Sequence, residues 1–322
     1  MTPKNIEDFK CPICNKKDIV YNGWNQNKQM YYCKNCKKKF IRSELKNYNY
    51  DPSIIVGAIS YYNLGKTLSE IVQLINKKYK ITLTNNLIYS WILNYYKICN
   101  FKKIRSYILK NYNGGIIDAF SFNHNDFTYN FMFHKPKLNI LCDNFPNLLN
   151  YILKMKELFP NDFFNKDIQH SNFRIDINFR EEGKYNLACK LADFSLKACN
   201  KNFERHKFVE NFMLINDSST VACEVPVWFW EKYLDIGICG HIDILQIRRG
   251  KIYVLAYKPD DIKDKNVASK LFLYASGLSF RTKIPLMRFR CAWFNQNNYN
   301  EFDPWEQNFS VKFRNKLYFR KI

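Results

Sequence analysis

"KIYVLAYKPDD", residues 251–261, reads as a buried β-strand running into a charged turn. Side chains alternate along a strand, so Val254, Ala256 and Lys258 share a side, and a lysine faces inward two residues after a bare methyl group. A buried cation needs a carboxylate beside it or a chemical task. Just upstream, "GICGHIDILQIRRG" (237–250) reads as a second strand, ending in a basic turn, with His241 and Asp243 on one side. Pairing of the two strands brings Asp243 close to positions 256 and 258. An aspartate and a lysine placed together also fit a plain ion pair.

The elements around this pair have a definite order. "NLACKLADFSLKAC" (186–199) reads as a helix, and so does "NFERHKFVENFML" (202–214), where His206 and Glu210 are four apart and share a face. "STVACEVPVWFW" (219–230) is a strand before the two above; "NVASKLFLYASGLSF" (266–280) is a helix after them, with Lys270 and Tyr274 on one face, and "IPLMRFRCAWFN" (284–295) is a last strand.

Over roughly residues 173 to 300, this arrangement resembles the RecB-like branch of the restriction-endonuclease-like nucleases, the PD-(D/E)XK superfamily. That pattern has an acid on the first helix, an aspartate on the second strand, acid-x-lysine on the third, and often Gln-x-x-x-Tyr on the next helix. The resemblance implies that Glu210 is the helix acid, Asp243 the metal-binding aspartate, Lys258 the catalytic lysine and Tyr274 the helix tyrosine, while Lys270 stands at the glutamine position. It further implies that Glu210, Asp243 and the acid of acid-x-lysine hold Mg²⁺ or Mn²⁺, with the lysine beside the attacking water. One position departs: that acid is Ala256. Losing a metal ligand predicts that the chain cuts poorly or not at all. Either the natural protein carries Glu or Asp there, or the nuclease has decayed into a binding module.

The N-terminal part carries different chemistry. Cys11 and Cys14 in "CPIC" and Cys33 and Cys36 in "CKNC" are two Cys-x-x-Cys knuckles eighteen residues apart, a spacing that closes a tetrahedral four-sulfur Zn²⁺ site; a redox dithiol needs no second copy. "DIVYNGWNQNKQMYYC" between them reads as a hairpin. A unit this short needs its metal to fold, so the zinc is expected to be structural. Lys37, Lys38 and Lys39 follow the second knuckle and suit phosphate contact or a solvated face. From Asp51 the period turns helical: "DPSIIVGAISYYNLG", then "TLSEIVQLINKKY" with Thr67 and Glu70 in capping-box spacing, then "TNNLIYSWILNYYKI". The third helix buries Leu87, Ile88, Trp91, Ile92 and Tyr95 and turns Asn85, Asn86, Tyr89, Ser90, Asn94 and Lys97 outward. Three short helices with that outer face form a helix-turn-helix with asparagines set for adenine, or else a helical bundle with a polar surface. Together with the knuckles, residues 9 to 100 resemble the DNA-binding half of insertion-sequence transposases and related mobile-element proteins.

The expected fold is multidomain α+β: a zinc ribbon over 1–45, a helix-turn-helix over 46–110, a connecting region over 111–172, and over 173–322 an α/β restriction-endonuclease-like domain with a mixed central sheet. His124, His134 and His170 stand alone in sequence, and the seven scattered cysteines read as small core residues of a protein in a reducing compartment. Fifty Lys+Arg against twenty-nine Asp+Glu, a net charge of +21, suits a polyanionic partner, though a lysine- and asparagine-rich proteome also contributes. With no long apolar run and no signal-peptide core, the protein is expected to be soluble, cytoplasmic and free of the membrane. The implied function is DNA cleavage on a mobile element, virus or defence system, as a homodimer where both strands are cut. The alternatives are a non-catalytic DNA-binding regulator or accessory, or RNA processing.

Overall fold

In a computed structural model of the chain, the described residues are 11, 16–25, 28–41, 50–99, 102–164, 177–183, 186–199, 204–231, 236–259, 265–307, 309–313 and 316–320. They divide into two compact units, 1–51 and 52–322. In the first, β1 (Ile19–Asn25) and β2 (Lys28–Cys33) form the expected hairpin, and β3 (Lys38–Ile41) pairs antiparallel with β2. Among its described residues, Cys11, Ile19, Tyr31 and Cys33 form a small buried cluster.

The second unit is mixed α+β. It opens with α1 (Pro52–Asn63), α2 (Leu68–Tyr79) and α3 (Asn85–Tyr95). Thr67 and Glu70 close the capping box, satisfying the first free N–H groups of α2. Ile54, Ile55, Ala58, Ile59, Ile71, Ile75, Ile88, Trp91 and Tyr95 are buried between the three helices and their neighbours. After α4 (Lys102–Asn111) come β4 (Ile117–His124), β5 (Phe127–His134), α5 (Lys135–Leu141), α6 (Pro146–Leu153), α7 (Met155–Leu158) and α8 (Asn161–Phe164). The rest runs β6 (Arg180–Gly183), α9 (Leu187–Leu196), α10 (Arg205–Asn216), β7 (Thr220–Glu231), β8 (Ile236–Arg248), β9 (Lys251–Tyr257), α11 (Lys265–Thr282), β10 (Phe289–Phe294) and β11 (Asn298–Phe302), then a ribbon of β12 (Phe309–Phe313) and β13 (Lys316–Arg320).

One eight-stranded mixed sheet organises the unit, in the order β4-β5-β7-β8-β9-β10-β11-β6. Neighbours are antiparallel except β9 and β10, which run parallel and are joined through α11. The 111–172 stretch thus contributes the sheet's edge, β4 and β5. Arg249 and Gly250 both have positive φ, as a two-residue hairpin turn of primed type requires, and this pins Arg248 opposite Lys251. From that anchor, register assigns the faces. Cys223, Ile244, Leu255 and Ala292 lie on one side, and the Cys223 thiol donates to the Glu210 carbonyl of α10. Ala222, Leu245, Val254 and Cys291 lie on the other, and the Cys291 thiol donates to the Leu271 carbonyl of α11. The sheet is therefore sandwiched between α10 and α11.

The helical module packs across the boundaries drawn at 110/111 and 172/173. Asn63 of α1 donates to the Asn216 side chain at 2.9 Å, and Asn216 donates in turn to Ser60 at 3.0 Å, all at the C-terminal end of α10. Tyr95 of α3 stacks on Phe194 of α9 with centroids 4.5 Å apart. Buried Lys137 donates to the carbonyls of Leu214 and Asp217, so its amine caps the last turn of α10.

Two glycines test this packing. A Cβ at Gly277 of α11 would come within 2.7 Å of Val227 and 2.8 Å of Phe229, whereas one at Gly57 of α1 would meet nothing within 4 Å. Gly277→Ala should lower unfolding free energy by about 1–3 kcal/mol through overpacking. Gly57→Ala should raise it by about 0.5–1 kcal/mol through helix propensity. Denaturant melts of both variants measure the contrast.

Candidate active site

β8 and β9 are laddered from Arg248 and Lys251 only as far as Ile244 and Leu255. Beyond that pair β8 stays with β7 as far as Ile236, while β9 stays with β10 through Ala256↔Trp293 and Tyr257↔Phe294. The sheet opens into a fork, and Asp243 is the first β8 residue inside it. Its Oδ2 accepts from the Tyr257 backbone N–H at 3.2 Å.

Other side chains converge on the same carboxylate. His206 of α10 places Nε2 3.0 Å from Asp243 Oδ2 and Nδ1 2.9 Å from Glu210 Oε1, so one imidazole bridges two acids. The Lys258 ammonium lies 3.9 Å from Asp243 Oδ2, with a third of its side chain exposed. Glu224 of β7, next to the Cys223↔Ile244 pair, sits beside Asp243 on the same arm of the fork. Its φ is +53°, and its Oε2 is 2.5 Å from His241 Nδ1. Tyr129 packs on the His241 ring at 3.9 Å between centroids, with His124 at 6.1 Å. His124, solitary in sequence, thus belongs to this cluster in space.

Charge and burial oppose each other here. Burial pushes the Glu210 carboxyl up, to about 8, against the pull of the His206 hydrogen bond. Burial would also raise Asp243, but the His206 hydrogen bond and the Lys258 charge outweigh it and hold Asp243 at about 2. For His206, burial lowers the imidazolium, and its hydrogen bonds to Asp243 and Glu210 overcome that, raising it to about 11. The His206 imidazolium and the Lys258 ammonium are thus the cations that let these acids share a buried space.

Of the residues singled out in sequence, Glu210, Asp243 and Lys258 are brought together. Ala256 continues the register opposite Asp243, but is 5% exposed and belongs to the apolar core with Val254 and Trp293. Tyr274 of α11 lies against β8: a Cβ on Gly240 would fall 2.4 Å from its hydroxyl. Burial, then the charge of Asp243, push that phenol up. Lys270 is exposed. His206, Glu224 and His241 were not singled out as site residues. The His206–Glu210 spacing carried a signal for the first, and a lone acid within the apolar strand "VACEVPVW" carried one for the second.

In the N-terminal unit, the thiols of Cys11, Cys33 and Cys36 lie within 4.8 Å of one another, with Cys11 and Cys36 3.6 Å apart. Four sulfurs at about 2.3 Å from a zinc ion are separated by about 3.8 Å, so the group fits that ion. Cys14 lies outside the described residues. Lys37, Lys38 and Lys39 are exposed beside the second knuckle. On α3, Asn85, Asn86, Tyr89, Ser90 and Asn94 are all exposed, as is Lys97 just past its end, and Asn85 donates to Ser69 of α2 at 3.3 Å. Among the described residues, no helix is long and apolar enough to cross a membrane.

Compared with family models, curated proteins and solved structures, the chain matches none.

The contact of Tyr274 with β8 is testable. Gly240→Ala should cost about 1–3 kcal/mol of stability, because Tyr274 Cε1 and Cζ as well as the hydroxyl are within 2.5 Å of the new methyl. Adding Tyr274→Ala removes the obstacle, so the double variant should lose less than the sum of the two single losses in denaturant melts.

Proposed function

We propose that the chain is a DNA-binding, metal-dependent endonuclease that hydrolyses phosphodiester bonds, with the zinc ribbon and helix-turn-helix delivering the forked sheet to its target. The observation that carries this reading is the fork itself: Asp243, Glu210 and Lys258, from three different elements, meet at one opening. The donor set is hard, carboxylate oxygen with imidazole, and suits Mg²⁺ or Mn²⁺. A divalent ion held there lowers the pKa of a bound water and takes up charge developing on the phosphate. Lys258, partly exposed, can orient the attacking water and favour its deprotonated form. His206 keeps Asp243 and Glu210 aimed at the same point. Tyr274, pressed against β8, fixes the α11 side of the site.

The rest of the chain supports delivery to nucleic acid. The net charge of +21 draws a polyanion, and the exposed Asn, Tyr and Ser face of α3 offers base-reading groups. A helix-turn-helix favours DNA over RNA, and cutting both strands calls for two sites, hence a homodimer. One observation favours the second reading, a DNA-binding accessory with a degenerate nuclease fold: the residue facing Asp243 on β9 is the core residue Ala256.

The decisive assay is cleavage of plasmid and oligonucleotide DNA with Mg²⁺ or Mn²⁺ by the parent chain and by Ala256→Asp and Ala256→Glu. At least one should cut, and Asp243→Asn or Lys258→Ala in that background should reduce the rate by about 10²–10⁴ while DNA is still bound. If none cuts while all bind, the accessory reading stands. For the ribbon, folded protein should contain stoichiometric zinc. A strong chelator should remove it and expose the amides of residues 19–41 to hydrogen exchange, leaving those of 220–257 protected.

A further inference from the structure

We infer that Glu224 supplies a carboxylate in place of the one position 256 lacks, so that the chain as it stands holds a divalent cation on Glu210 and Glu224, with His206 as the nitrogen ligand and Asp243 beside the ring's other nitrogen. The inference rests on the endonuclease reading for what the ion does, and on geometry for where it binds. Glu224 and Ala256 are counterparts across the fork: register sets one opposite Asp243 on β7 and the other opposite it on β9. An acid is missing from one arm and present at the same level on the other.

The backbone aims it. Strand alternation alone would put Glu224 with Ala222 and Leu245, on the α11 face. At φ +53° the chain leaves β geometry in mid-strand, a conformation that costs a non-glycine residue about 1 kcal/mol or more and that clusters at functional positions. The result is that the Glu224 carboxylate reaches toward α10, and donor atoms of His206, Glu210 and Glu224 all lie within 4.8 Å of one another. Ligands at about 2.1 Å from an octahedral ion are separated by about 3 Å along edges and about 4.2 Å across it, so modest closure assembles a first coordination shell.

Two buried oxygens also lack what such a shell would supply. Glu210 Oε1, on a residue 1% exposed, and Glu224 Oε2 have no hydrogen bond of good geometry, although imidazole nitrogens stand near both. The nearby imidazoles leave the directional needs of these oxygens unmet. A divalent ion among the carboxylates satisfies both, and His241 then holds the second Glu224 contact from outside.

The test is Mn²⁺ titration of the zinc-loaded full chain, with free Mn²⁺ read by electron paramagnetic resonance. Mn²⁺ prefers oxygen and imidazole and leaves the thiolate site to zinc. The parent chain should bind Mn²⁺, Glu224→Gln should weaken binding about tenfold or more, and Ala256→Asp added to Glu224→Gln should recover it. Equal binding by the parent and Glu224→Gln overturns the inference. Should Glu224→Gln fail to fold in a thermal melt, Ala256→Asp alone decides: little gain over the parent supports a site already complete, and binding that appears only with Ala256→Asp overturns it. Mn²⁺ binding that follows the expected pattern with no cleavage of any DNA would sink the endonuclease reading and leave the cation site standing.

Discussion

The parting of β8 and β9 is the constraint on which the rest of the larger unit's chemistry depends. In a continuous ladder, the Tyr257 N–H would be taken up by a strand carbonyl, and Asp243 would be sealed between the sheet and a helix. Because the ladder stops at Ile244 and Leu255, a carboxylate becomes the acceptor instead, and the backbone donor is satisfied by a charge. That bond anchors Asp243 at the mouth of the fork, where α10 brings His206 and Glu210, and Lys258 extends from the far arm. The short turn at Arg249 and Gly250 sets the count: any change in its length would slide Asp243 away from its partners.

Acids are scarce in this chain, twenty-nine against fifty basic residues, and three of them meet within the fork. Concentrating carboxylates in a buried cleft is unfavourable unless cations stand among them. The His206 imidazole, between Asp243 and Glu210, and the Lys258 ammonium do so.

What the sequence disclosed was what local pattern encodes. The knuckle cysteines, the capping box at Thr67 and Glu70, and the apolar runs of β7, β8, β9 and α11 are all set by residues near one another in the chain. Pairing around a short turn made the approach of Asp243 to position 256 legible as well. Glu224 was legible only as a lone acid in "VACEVPVW": its place in the site comes from β7 lying beside β8 and from one left-handed residue, and neither has a signature there. The short edge strand β6 is polar, and its pairing with β11 is long-range. The same holds for the joint of α1 to α10, made by Ser60, Asn63 and Asn216, polar residues that read as surface until the partner is known.

That joint bears on how the larger unit can be divided. Ser60 and Asn63 hold the end of the very helix whose other end presents His206 and Glu210, and Tyr95 lies flat on Phe194 beside it. A cut in the chain near residue 111 would strand the Asn216 amide without its partners and bare an aromatic face. The three-helix module is therefore a buttress of the acidic cleft rather than a detachable handle. Whatever the outer face of α3 grips is held at a set offset from the carboxylates, as by the two jaws of one caliper.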